Sequence, residues 1–90
     1  MEELRALLLL KLARRGKWEH SHMPCDRLLR WVEAKRGGGE ARECFEELKR
    51  LGMVHVKPTH YGKEVSLNIR MREQILALIE KHFPQFKEFL

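Results

Sequence analysis

The sequence predicts a mainly α-helical domain carrying one small β-hairpin: a three-helix core, a two-stranded hairpin and a C-terminal helix. Three observations carry this prediction. Apolar residues recur with a helical period as far as Leu51, the period changes to two between residues 54 and 69, and glycine or proline stands at the joints. A chain of 90 residues buries about 60–65% of its unfolded surface around one core, so residues 1–90 are expected to form a single domain without a deep interdomain cleft.

Glu2 to Arg15 reads as a helix of strong formers. It opens on two glutamates and closes on Arg14, Arg15 and Gly16, which complement the helix dipole and suit a C-terminal cap. Leu4, Leu7, Leu8, Leu9, Leu10 and Leu12 spread around nearly the whole circumference, the mark of a helix buried on more than one side. Gly16 to Met23 has no helical period and reads as a connector or short strand anchored by Trp18. Pro24 suits the first position of a second helix running to about Ala34. This helix turns Cys25, Leu28, Leu29 and Val32 inward, with Trp31 beside them and Arg27 and Arg30 outward. The run Lys35-Arg36-Gly37-Gly38-Gly39 breaks the pattern as a turn.

Glu40 to Leu51 forms the third helix, with Ala41, Cys44, Phe45, Leu48 and Leu51 on one arc, and Gly52 stops it. Val54 and Val56 then alternate with His55 and Lys57, and Val65, Leu67 and Ile69 alternate with Ser66 and Asn68. Pro58 to Lys63 is the turn between these two strands. Asn68 suits the N-cap of a last helix from about Ile69 to Phe83, which Pro84 ends.

Three helices followed by a hairpin, with a glycine turn between the second and third, is the layout of a winged helix-turn-helix. The stretch Leu48-Lys49-Arg50-Leu51-Gly52-Met53-Val54, followed by Lys57-Pro58-Thr59-His60-Tyr61-Gly62-Lys63-Glu64-Val65-Ser66-Leu67-Asn68, resembles the helix end and wing of small archaeal-type winged-helix proteins. The connector Lys17-Trp18-Glu19-His20-Ser21-His22 is similar to the polar, His-containing connector of some of them. The resemblance covers roughly residues 15–70. It implies a DNA-binding transcriptional regulator whose third helix lies in the major groove while the wing touches the adjacent backbone or minor groove.

The charge agrees in sign. Eighteen Lys and Arg against thirteen Asp and Glu give a net charge of +5, which favours an anionic partner, nucleic acid first. Residues 1–39 carry +4 and residues 53–70 carry +2, whereas residues 40–52 carry −1 and residues 71–90 are balanced. The third helix thus brings Glu40, Glu43, Glu46 and Glu47 toward any polyanion it enters. Arg42–Glu46 and Glu46–Arg50 stand at i,i+4 spacing, so an ion-paired solvated face competes with base reading there. The expected contacts with duplex DNA are Arg42, Lys49 and Arg50 on the third helix, and Lys57, His60, Tyr61 and Lys63 on the hairpin. Arg27, Arg30, Lys35 and Arg36, on the second helix and its turn, are expected to lie across the backbone. The alternative from a different class is a protein-interaction module, which the acidic third helix and the Phe86, Phe89, Leu90 tail favour; an RNA target is a third reading.

A homodimer is expected from the apolar surplus on the two terminal helical segments, 1–15 and 69–90, through Leu4, Leu7, Leu9, Leu10, Leu76, Ile79, Phe83, Phe86 and Phe89. No cofactor or metal is expected. His20, His22, Cys25, Cys44, His55 and His60 are ligand types, but they lack a C-x₂-C or H-x₃₋₅-H pair. No nucleophile elbow, phosphate-binding Gly-Lys-Ser/Thr loop or metalloprotease helix appears, so the chain reads as a non-enzyme, and it shows no small-molecule pocket signature. Two cysteines make no disulfide framework, the longest apolar run is Ala6 to Leu10, and the start Met1-Glu2-Glu3 is acidic; a cytoplasmic protein with no membrane segment is expected.

Overall fold

The computed structural model describes residues 2–36 and 39–89 of the chain, with the side chains of Lys35, Arg36 and Phe89 outside the described set. Its elements are α1 (Glu2–Arg14), β1 (Met23–Pro24), α2 (Cys25–Arg36), α3 (Glu40–Leu51), β2 (Val54–Thr59), β3 (Gly62–Leu67), a 3₁₀ turn (Ile69–Met71), α4 (Arg72–His82) and a final 3₁₀ segment (Pro84–Phe89). The chain is mainly helical with a small antiparallel sheet. That sheet has three strands in the order β1-β3-β2, one more than the hairpin expected from the alternation. Met23 pairs with Val65 and Pro24 with Glu64, so Pro24 ends an edge strand, where its missing N–H is tolerated, instead of opening α2.

The central helix is α1, which packs against α2, α3, α4 and β3. Leu8, Leu9 and Leu12 are wholly buried, and Leu4, Leu7 and Leu10 nearly so. The many-sided apolar character of α1 is therefore satisfied within one chain, because β3 and α4 return over the sides that α2 and α3 leave open. Ile79 is likewise buried, and Leu76, Phe83 and Phe86 pack half-buried on the same core. The apolar surplus that points to a homodimer in the sequence is thus largely covered in the single chain; Phe89, the last of that set, has its side chain outside the described residues.

The second half of β3 is buried on both faces, with α1 and α2 packed against the strand. Val65, Ser66 and Leu67 are all inaccessible, and the Ser66 hydroxyl has no hydrogen-bond partner, so the polar-out reading of Ser66 fails. Ile69, read as the inward end of that strand, instead starts the 3₁₀ turn and is 43% exposed. The connector after α1 runs beside β3, with Trp18 bridged to Leu67 and the Glu19 N–H donating to the Leu67 carbonyl at 2.9 Å.

Two caps hold the α3–sheet–α4 junction. Gly52 ends α3 in the left-handed region (φ 77°), where its N–H reaches the Leu48 and Lys49 carbonyls. Asn68 accepts from the Arg70 N–H at 3.0 Å and donates its Nδ2 to the Gly52 carbonyl at 2.8 Å. Capping by Asn68 thus starts a 3₁₀ turn, and the α-helix proper begins at Arg72. The opposite end of α4 is tied to the start of α1, where Glu2 Oε1 lies 2.8 Å from both Lys81 Nζ and His82 Nε2. Those partners hold the Glu2 carboxyl down at about 2, the Lys81 hydrogen bond contributing most and His82 next.

Candidate functional site

The hairpin turns in two residues, His60 and Tyr61, shorter than the Pro58-to-Lys63 turn expected. Thr59 pins it: its Oγ1 accepts from the Tyr61 N–H at 3.3 Å and donates to the Gly62 carbonyl at 3.0 Å, while Gly62 adopts a φ of 130° that a side chain would resist. Tyr61 is fully exposed, and His60, Lys57 and Lys63 are exposed around it. Tyr61 is therefore not packed back on the core.

Strand register decides where the hairpin cations point. Lys57 lies opposite Glu64 and Pro58 opposite Lys63, so Lys57 and Lys63 project from opposite faces of the hairpin. Lys63 joins a groove of about 390 Å³ between the N-terminal end of α2, α3 and the hairpin. There it meets Arg42 and Lys49, with Asp26 and Glu46 as the opposing charges. Cys25 lies at the bottom of this groove, its thiol pKa pushed up by burial and then by Asp26.

The ion pairs of α3 differ from the i,i+4 pairs its sequence suggests. Arg42 Nε faces Glu33 of α2 at 3.4 Å, Lys49 Nζ faces Glu46 at 3.0 Å, and Glu47 binds Arg5 of α1. Arg50 is exposed on the outer face with Glu43, Glu46 and Glu47. Leu51, read as the last core residue of α3, is half-exposed, because the chain reverses at Gly52 before the core covers it.

Arg27 and Arg30 belong elsewhere. They are exposed and line a hollow of about 670 Å³ with Arg15, Trp31 and Ala34. A smaller hollow of about 310 Å³ adjoins it through Arg15 and Trp31 and is lined also by Lys11 and Arg14. The Arg15 guanidinium sits 3.9 Å from the Trp31 ring centre and Lys11 Nζ 4.2 Å from it; Arg14 lies over Phe86 at 4.8 Å. Lys35 and Arg36, expected to extend this set, have their side chains outside the described residues, and Gly37 and Gly38 of the expected turn also fall outside them.

The charged residues missed in the sequence are Lys11, Arg14 and Arg15, where the two arginines count only as dipole complements. Their signal is spacing: positions 11 and 14 share one face of α1 with Arg15 just beyond its end, and 27, 30, 31 and 34 share one face of α2. Among the described residues no group of three or more His, Cys, Asp or Glu side chains converges as a metal site would, and no helix is long and apolar enough to cross a membrane. No known protein family, curated protein or solved structure matches this chain.

Proposed function

We propose that this chain is a winged-helix DNA-binding protein of the transcription-regulator kind, with β2 and β3 as the wing and α3 as the helix presented to the duplex. The observation that carries the reading is Tyr61, an aromatic side chain held fully exposed on a pinned two-residue turn with His60, Lys57 and Lys63 around it. A side chain so placed gains nothing from the core, and a ring among cations suits a surface of phosphates and sugars. Arg42 and Lys49 reach the same groove as Lys63, but each already faces a carboxylate, so the grip falls mainly on the hairpin and on exposed Arg50.

Anisotropy of a labelled random duplex, titrated across a range of salt, tests the reading. Lys57→Ala with Lys63→Ala should weaken binding and lower the salt slope by about 0.9 for each phosphate that is no longer neutralised. An unchanged slope would refute the assignment of the wing.

A protein partner is the second reading, favoured by half-exposed Leu51 at the rim of a hollow of about 370 Å³ lined also by Met53, Ala77 and Leu78. Absence of duplex binding at low salt selects it. Sedimentation of the same samples reports whether a second copy of the chain takes part.

A further inference from the structure

We infer that the face shared by α1 and α2 around Trp31 is a second nucleic-acid site, one that takes single-stranded nucleic acid, beyond the duplex grip proposed for the hairpin. Five cations, Lys11, Arg14, Arg15, Arg27 and Arg30, line the two adjoining hollows, and among the described residues no carboxylate side chain lines either. Like charges gathered this densely raise the local positive potential, and an anion relieves it. Compensation of the α1 dipole accounts for Arg14 and Arg15 at that helix's end, but Arg27 and Arg30 come from within α2. Neither of those two forms an ion pair with any described residue.

The ring at the centre selects among anions. Trp31 lines both hollows and is part-exposed, with its π-system occupied by Arg15 and Lys11. Phosphates entering the hollows draw these cations off the ring, and a base takes the vacated face. A basic groove that tracks a backbone past an aromatic platform is how single strands are bound without sequence preference. An acidic peptide would neutralise the same cations but bring nothing planar to the ring. Hollows of about 670 and 310 Å³ admit a few nucleotides of one strand, whereas a duplex, wider than the hollow, would meet only the outermost arginines.

The chain has two tryptophans, so Trp18→Phe leaves Trp31 as the only reporter. An oligothymidylate of about 12 nucleotides, within the range one such groove occupies, should quench that emission saturably, and salt should reverse the effect. In the Trp31→Phe chain, which keeps Trp18, the same oligonucleotide should leave the emission unchanged; that variant also serves if Trp18→Phe does not fold. Arg27→Glu with Arg30→Glu, both at exposed positions, should weaken oligothymidylate binding at least tenfold while leaving duplex binding through the hairpin within about twofold. The Lys57→Ala, Lys63→Ala chain should keep the full Trp31 response, which separates failure of this site from failure of the wing. Unchanged oligothymidylate affinity in the arginine variant overturns the inference. So does an equal loss of duplex binding, which would make this face part of one duplex surface, and so does equal quenching by polyglutamate of the same charge.

Discussion

Replacing Leu9 by alanine distinguishes a core leucine from an interface leucine. Leu9 is wholly inaccessible in the single chain, enclosed where α1 meets the surrounding elements, although its place on a many-sided apolar helix suggests contact with a second copy when the sequence is read alone. Truncating a fully buried leucine removes its transfer free energy and leaves a cavity, together about 2–5 kcal/mol. A 90-residue domain has a total stability of roughly 5–13 kcal/mol, so the variant should remain folded at low temperature with a much reduced margin. With each kcal/mol worth about 4–8 °C in a domain this size, a central loss of about 3 kcal/mol lowers the midpoint by about 12–24 °C. Far-UV circular dichroism during thermal and urea unfolding measures this. The deficit should be the same over a roughly hundredfold range of protein concentration, because a one-chain core has no mass-action term. A loss below about 1 kcal/mol, or a wild-type midpoint that rises with concentration while that of the variant does not, would refute the one-chain account of α1.

Two further outcomes follow from the junctions. Asn68→Ala removes the acceptor for the Arg70 N–H and the donor to the Gly52 carbonyl, and should cost about 1–2 kcal/mol, or about 4–16 °C. Asn68→Asp keeps the cap but sets a carboxylate oxygen against the Gly52 carbonyl in place of the donor, so its melting point should fall below that of wild type; equality with wild type would mean that the bond to Gly52 is idle. Glu2 titrates near 2 in the folded chain against an ordinary value of 4.5, so its contribution to stability is fully present above 4.5 and disappears as the pH falls from there toward 2. The melting-point gap between wild type and Glu2→Gln should accordingly close across that window and shrink in high salt. A gap independent of pH would show that Lys81 and His82 do not hold the carboxylate in solution.

Local signals on one element were legible in the sequence. The arc of Ala41, Cys44, Phe45 and Leu48 with Gly52 behind it placed α3 with its correct ends, and Pro84 marked the end of α4. Signals that depend on a neighbour were not. Met23–Pro24 is too short to show a period and becomes a strand only because β3 offers it an edge. Ser66 breaks the alternation because α1 and α2 pack against its end of β3, which is buried on both faces. The leucines of α1 announced burial on several sides, yet nothing local distinguishes a side covered by α4 from one covered by another molecule.

The candidate site shows the same limit in its electrostatics. Counted along the chain, residues 40–52 carry a net −1, which makes α3 look repelled by a polyanion. Pairing in space leaves that sum unchanged, since Glu47 is taken by Arg5 of α1 while Arg42 is drawn to Glu33 of α2, one charge of each sign; what it changes is which cations stay free. Of the contacts expected from the sequence, Arg27, Arg30, Arg50, Lys57 and Lys63 are left without an ionic partner among the described residues. Exposed cations without partners are the ones able to exchange counterions for phosphates, and each such exchange adds to the salt slope, whereas a cation already facing a carboxylate must first give that partner up. The five fall on separate parts of the surface: the hairpin, the outer face of α3 and the Trp31 hollow. Nucleic-acid binding by this chain is therefore expected to divide between surfaces, and substitutions at the hairpin and at Arg27 and Arg30 should be close to additive in free energy.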